Sequence, residues 1–199
     1  MTKMKISARH VAPLLLAALV ACDNPAGSGG PPASTVRVVY GGSSNQGTTV
    51  NGTYQARGEA RAGTAPILQT YALGQRFADD GHILVLSNLK HAGADVADFA
   101  WITIPRLTEG SVTIDGICPG ENCAAVSLAL EVGTVGVSQA KYSCSLDAGT
   151  IRVTAVTETR VRGDFSGTGF CVGAAGTADL DQFSIAEGTF DVALIDVPG

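Results

Sequence analysis

Histidine is scarce in this chain, with three residues in 199, and one of them, His10, lies inside an N-terminal apolar segment. His82 and His91 stand apart from each other and belong to no His-Glu-x-x-His pair. A Gly-x-Ser-x-Gly elbow and a phosphate-cradling glycine loop are also missing, so the common hydrolase and nucleotide-binding spacings are not present. Cationic residues are outnumbered by acidic ones, 13 against 18, which argues against nucleic acid as a partner. Long amphipathic helical patterns are few. Gly, Thr and Val run through the chain instead, and they point to an all-β domain.

The apolar run at the N-terminus is too short to span a bilayer as a helix. Lys3, Lys5 and Arg9 precede Val11 to Val20, which has the length of a signal-peptide core. Leu19-Val20-Ala21-Cys22 follows, with Leu three positions before the cysteine and a small Ala just before it, and this resembles a bacterial lipobox. Cleavage before Cys22 would leave that cysteine at the new N-terminus to carry lipid. Acyl chains contribute about 0.8 kcal/mol per buried methylene, so several of them anchor a domain with no transmembrane helix. The expectation is residues 1–21 as a lipoprotein signal peptide, 22–34 as lipidated N-terminus and linker, and 35–199 as the folded domain.

Without its first 21 residues the chain keeps ten basic and eighteen acidic side chains, a formal charge of −8. The linker from Asp23 to Ser34 is rich in Gly, Pro and Ser, and as a flexible coil it would span roughly 20 Å, holding the domain clear of the lipid. Roughly 165 residues then remain, enough for one domain with a real core.

Strands are expected at Thr35 to Tyr40, at Thr48 to Val50 and Thr53 to Ala56 around an Asn51-Gly52 hairpin turn, and at Ala72 to Ala78. His82 to Leu89 is nearly all apolar and reads as a central strand covered on both faces. Asp98 to Ile104 reads as a core strand carrying the only tryptophan, Trp101, which its apolar flanks assign to the core over a sugar-stacking role. Ser111 to Ile114 and Ala124 to Val132 follow. The clearest pattern is a hairpin from Thr150 to Val156 and back from Arg160 to Cys171, with Val161, Phe165 and Cys171 on one face. Phe183 to Ala186 and Thr189 to Leu194 are expected to pair around Glu187-Gly188.

The succession Val50-Asn51-Gly52-Thr53-Tyr54-Gln55-Ala56, Ile83-Leu84-Val85-Leu86, Gly149 to Thr154, Arg160 to Ser166 and Gly188 to Val192 resembles a group of uncharacterised β-sandwich lipoproteins of Gram-negative bacteria. The resemblance implies fold, an antiparallel sandwich of about eight to ten strands, and supplies no catalytic residue. The paired cysteines depart from that group's pattern.

Five cysteines make an odd count, and lipid on Cys22 would account for the odd one. The remaining four allow three pairings. Cys118 to Cys123 is expected to close a short loop around Pro119-Gly120, leaving Cys144 and Cys171 to join strands. Structural metal sites use tighter thiolate pairs, and redox pairs prefer two intervening residues, so neither reading is adopted and no cofactor is expected. Asp79 with Asp80, and Asp95 with Asp98, match no calcium-loop spacing. Asp179 and Asp181 would share a strand face without forming a catalytic pair by themselves. Function is therefore expected to be non-catalytic binding of a glycan, peptide or envelope protein by loops at one end, among them Cys118 to Cys123. The alternatives are an envelope hydrolase using loop carboxylates and a structural envelope protein. The expected location is the outer membrane or the periplasmic face of the inner membrane.

Overall fold

The computed structural model describes residues 32–60, 68–78, 81–116, 123–133 and 140–197, and these form an all-β domain. Ten strands follow in order: β1 (Thr35–Ser43), β2 (Thr49–Arg57), β3 (Tyr71–Phe77), β4 (Ile83–Lys90) and β5 (Val96–Ile104), then β6 (Gly110–Asp115), β7 (Ala125–Gly133), β8 (Tyr142–Val156), β9 (Arg160–Gly173) and β10 (Leu180–Val197). Among the described residues no helix is long and apolar enough to cross a membrane.

Two long strands organise the sandwich. β10 lies between β1 and β9 over most of its length, and its last residues, Leu194 to Val197, pair in parallel with β3. β8 pairs with β9 throughout, while its other edge serves β7 at Leu128↔Cys144 and then β6 at Val112↔Ile151. The six strands β2-β1-β10-β9-β8-β6 therefore make one layer and β3-β4-β5-β7 the other. Hydrogen bonding runs round both corners, so the central strands lose their free edges. All pairings are antiparallel except β10 with β3.

Alternation sets what lies between the layers. Val36 and Val38 of β1, Phe190 and Val192 of β10, and Val161 and Phe165 of β9 point inward from one layer and are buried. Ile83 and Val85 of β4 and Ile102 and Ile104 of β5 meet them from the other. The layers are also joined by a polar contact, in which the buried Tyr54 hydroxyl on β2 donates to Ser87 Oγ on β4 at 2.7 Å. Burial pushes the Tyr54 hydroxyl well above the ordinary tyrosine range, and it raises Tyr71 too.

Four expectations need correction. Asn51-Gly52 lies inside β2 and forms no turn; the chain reverses at residues 44–48 instead. Gly52 is needed because the Tyr40 ring lies against it, where an added Cβ would sit 2.5 Å from the tyrosine oxygen. Glu187-Gly188 is likewise no hairpin, because residues 180–197 form one strand with an irregularity between Ile185 and Gly188. β4 is covered on both faces only near its end: Ile83, Val85 and Ser87 are buried inward, while on the outer face Asn88 is buried and Leu84 and Leu86 are half-buried. Trp101 is half-exposed on that same outer face, its ring lying parallel to that of Phe99 with centroids 5.8 Å apart. The inward set on β5 is Ala100, Ile102 and Ile104, so the apolar flanks of Trp101 fill the core in its place.

Candidate functional site

The outer face of the six-stranded layer changes character along its length. Near the point where the chain enters the domain it is charged and carries several ion pairs. Arg37 bonds Glu187 at 2.6 Å, Arg152 bonds Asp164 at 2.8 Å, and Asp191 holds both Arg160 and Arg162. Towards the other end the charges give way to small polar side chains. Strand register aligns Asn51, Gly41, Ser184 and Thr168 in one row across β2, β1, β10 and β9, with Thr49, Ser43 and Gln182 beside them. Because these strands alternate, every one of these side chains points away from the core.

Small residues leave an open groove of about 610 Å³ over this row. Glycine makes the groove possible at Gly41, where a Cβ would stand 2.6 Å from Asn51 Oδ1; the asparagine side chain occupies that place and lies across the sheet. Asp147, at the irregularity in β8, and Asp181, at the start of β10, stand among the lining residues. Asp181 Oδ2 accepts the Asn45 N–H at 2.8 Å, which fixes the turn between β1 and β2 against β10. Among the described residues no lysine or arginine lines the groove. Chemically it offers hydroxyl and amide groups that both donate and accept, with two carboxylates that accept only.

A second polar group sits at a mouth of the sandwich. Two residues of β7, Leu130 and Glu131, face the single residue Asp98 on β5, a bulge that leaves one backbone N–H outside the ladder. Asp98 supplies the missing acceptor: its Oδ1 takes the Glu131 N–H at 2.7 Å, while Oδ2 meets His91 Nε2 at 2.8 Å. Glu131 adopts φ of 53° there, the one non-glycine residue with positive φ among those described, and its carboxylate bonds Lys141. Burial, together with the nearby charges of Asp98 and Glu131, raises the Tyr40 hydroxyl above its usual range. Every carboxylate in this group is committed to a structural partner.

The residues singled out by sequence fall in separate places. Cys144 and Cys171 are directly opposite each other on β8 and β9 and form a disulfide buried in the core. Cys123 is disulfide-bonded as well, but the expected partner Cys118 and its loop lie outside the described residues, as do Cys22, Asp79 and Asp80. His82 stacks on Phe77 with centroids 4.2 Å apart, far in sequence from the His91 pair. Asp95 is exposed, Asp98 is buried in the bulge, and no group of three or more metal-binding side chains occurs among the described residues. Asp179 caps the Gly173 N–H while Asp181 enters the groove, so the two do not act together. Binding was expected from end loops, whereas the groove lies on a sheet face. Gly116, at the end of a described stretch, donates its N–H to the Asp147 carbonyl at 2.8 Å. Asn51, Ser184 and Thr168 gave no motif; their only signal is that outward positions here stay small and polar.

No family model matches the chain, and no curated protein or solved structure is significantly similar to it.

Proposed function

We propose that this chain is a lipid-anchored, non-catalytic binding module of the bacterial cell envelope, held at a membrane through Cys22, and that its groove takes a neutral, hydroxyl-rich ligand such as a glycan. The observation that carries this reading is the row Asn51, Gly41, Ser184 and Thr168. It presents mixed donors and acceptors on a rigid sheet, with the Asn51 amide laid over Gly41. Among the described residues the lining contains no cation to offer an anionic ligand a counter-charge, whereas sugar hydroxyls can donate to Asp147 and Asp181. Distance along the strand adds support. From Thr35, where the chain enters β1, to Ser43 is about 26 Å at roughly 3.3 Å per residue, so the groove is remote from the tether.

One observation favours an envelope hydrolase as the second reading: two carboxylates line the same groove. Against it, Asp181 is engaged by the Asn45 amide, and among the described residues no histidine lines the groove to act as a base. Titrating isotope-labelled protein with N-acetylglucosamine oligomers, and separately with a neutral polar peptide, tests the proposal by backbone amide shifts. Shifts confined to residues 41–51, 168–169 and 181–184 are expected with the sugar. Shifts with the peptide alone, or none in this region, would overturn the glycan reading. Turnover of the oligomer that disappears in Asp147→Asn would install the hydrolase instead.

A further inference from the structure

On the outer face of the four-stranded layer two adjacent rows carry no charge, and Lys90 stands at the far end of β4 beyond them. Register places Leu73, Leu86 and Trp101 in one row across β3, β4 and β5, followed by Ser127 on β7. The next row runs from Ile195 through Gln75 and Leu84 to Thr103. Neither row contains Asp, Glu, Lys or Arg, although the chain past its first 21 residues bears a formal charge of −8. On the opposite layer the outward positions hold the Arg37–Glu187, Arg152–Asp164 and Asp191 ion pairs. The apolar side chains are partly open: Ile195 is 40% exposed, and Leu73, Leu84, Leu86, Phe99 and Trp101 are each half-buried, while Tyr71, Asn88 and Ala129 at one end of the face, and Gln75 between Ile195 and Leu84, are buried. Two adjacent uncharged rows with apolar side chains open to this degree mark a surface that meets something other than water.

The chain's point of entry identifies what it meets. Ser34 is the last residue before β1, and its carbonyl accepts the Gly58 N–H at 2.9 Å. The Gly58 carbonyl in turn accepts the N–H of Ala72, the second residue of β3, at 3.0 Å. The Ser34 hydroxyl also accepts the Ala193 N–H, just before Leu194 begins the pairing with β3. The tether therefore joins the domain at the edge strand of the uncharged face. Twelve peptide links separate Cys22 from Ser34, so the junction can never be more than about 42 Å from a lipid on Cys22, and a coil average of roughly 20 Å is shorter still.

We infer that the face formed by Leu73, Leu84, Leu86 and Trp101 lies against the headgroup region of the bilayer that holds Cys22. This rests on the proposal of lipidation at Cys22. The same linker that lets the domain stand clear also lets it fold down. Anchoring makes the second contact intramolecular, with a high effective concentration, so a modest apolar area suffices. Tryptophan on such a face suits the interface, where an aromatic ring with a polar N–H is at home between lipid and water. With no cation in the two rows, and Lys90 held to the Ala94 carbonyl, contact depends on apolar burial and is indifferent to lipid charge. The orientation turns the opposite layer, with its polar groove, away from the membrane.

Trp101 is the only tryptophan, so its fluorescence reports this face alone. The lipidated protein is reconstituted in phosphatidylcholine vesicles, with and without a lipid-borne nitroxide near the headgroup. Expected are quenching by the nitroxide, several-fold protection from aqueous iodide, and no change when anionic lipid or salt is added. Leu86→Glu and, on the neighbouring row, Leu84→Glu should each abolish the protection while the protein still floats with the vesicles. Flotation with Trp101 fully open to iodide would overturn the inference while leaving lipidation intact. Failure to float would instead remove lipidation, and the inference with it. Protection that grows with protein density in the vesicles and ignores the nitroxide would assign the face to a second copy of this chain. Protection that appears only on adding oligosaccharide would assign it to a glycan.

Discussion

The buried carboxylate of Asp98 holds the backbone of Glu131, accepting its N–H at 2.7 Å at a point where β7 bulges and Glu131 takes positive φ. An extra residue in a strand leaves a peptide group without a ladder partner, and a nearby side-chain acceptor restores it. Asp98→Ala removes that acceptor and leaves the amide unpaired, which should cost about 1.5–3 kcal/mol in urea unfolding. Asp98→Asn keeps an oxygen for Glu131 and loses only the charge facing His91, so its loss should be clearly smaller. Equal losses in the two variants would show that the carboxylate contact with His91, and not the bulge, is what matters.

Gly188 gives a second test of packing. It sits opposite Phe165 on the neighbouring strand, and the phenylalanine ring occupies the space where a side chain at 188 would begin. Phe165 is buried and stacks near Phe190, so it has nowhere to retreat. Gly188→Ala should destabilise by about 1–3 kcal/mol through overpacking. Phe165→Leu in the same chain should recover part of that loss, a coupling that a double-mutant cycle reads directly.

That position also shows what the sequence could and could not disclose. Val161, Phe165 and Cys171 alternate with polar residues, and their inward face was legible because a strand repeats every two residues. Glycine is ambiguous in the same reading. Gly52 and Gly188 look like turn residues, but each serves close packing, under Tyr40 and Phe165 respectively, and only the fold reveals the ring above them. Trp101 was misplaced for a related reason: β5 is apolar on both faces, and periodicity cannot say which face is inside. The groove was illegible altogether. Its row draws one residue from each of β2, β1, β10 and β9, and the register that aligns Asn51 with Thr168 passes beside irregularities at Val39/Tyr40 and Ile185/Gly188.

Alkaline stability should be governed by tyrosines. Tyr54, Tyr71 and Tyr40 all hold their protons above the ordinary value of about 10, chiefly because burial disfavours the anion. Above that value the unfolded chain releases protons that the folded chain retains. The folded state then binds more protons, and stability falls as pH rises. Urea midpoints should be flat near neutrality and decline above about pH 10. Tyr54→Phe should flatten this decline while costing about 1 kcal/mol at neutral pH, because Ser87 loses its partner. An undiminished alkaline decline in that variant would exclude Tyr54 as its source.

The Cys144–Cys171 bridge closes a loop of 27 residues between strands that already pair. Chain-entropy reasoning gives about 3–4 kcal/mol for a loop of that length. Both sulfur-bearing residues are buried, so a reductant reaches the bond only when β8 and β9 separate. Folded protein should resist dithiothreitol, and the rate of thiol release should follow the unfolding rate as urea is added. Rapid reduction without denaturant would show that this hairpin opens independently of the rest.

For the groove the decisive variant is one that fills it without touching the core. Thr168 is exposed on β9, points outward beside Ser184, and faces no charged neighbour in its row. Thr168→Trp suits a strand and should leave the urea midpoint unchanged, since the larger side chain lies over the groove and not between the layers. If sugar binds along the row, affinity should fall at least about tenfold, or 1.4 kcal/mol, by blockage alone. Asn51→Ala should weaken binding less, removing hydrogen bonds but leaving the space open. Glu187→Gln, at the ion-paired end of the same face, should leave binding unchanged while releasing Arg37. A ligand that Thr168→Trp does not displace, but that Glu187→Gln does, would move the binding surface to the charged half of the layer.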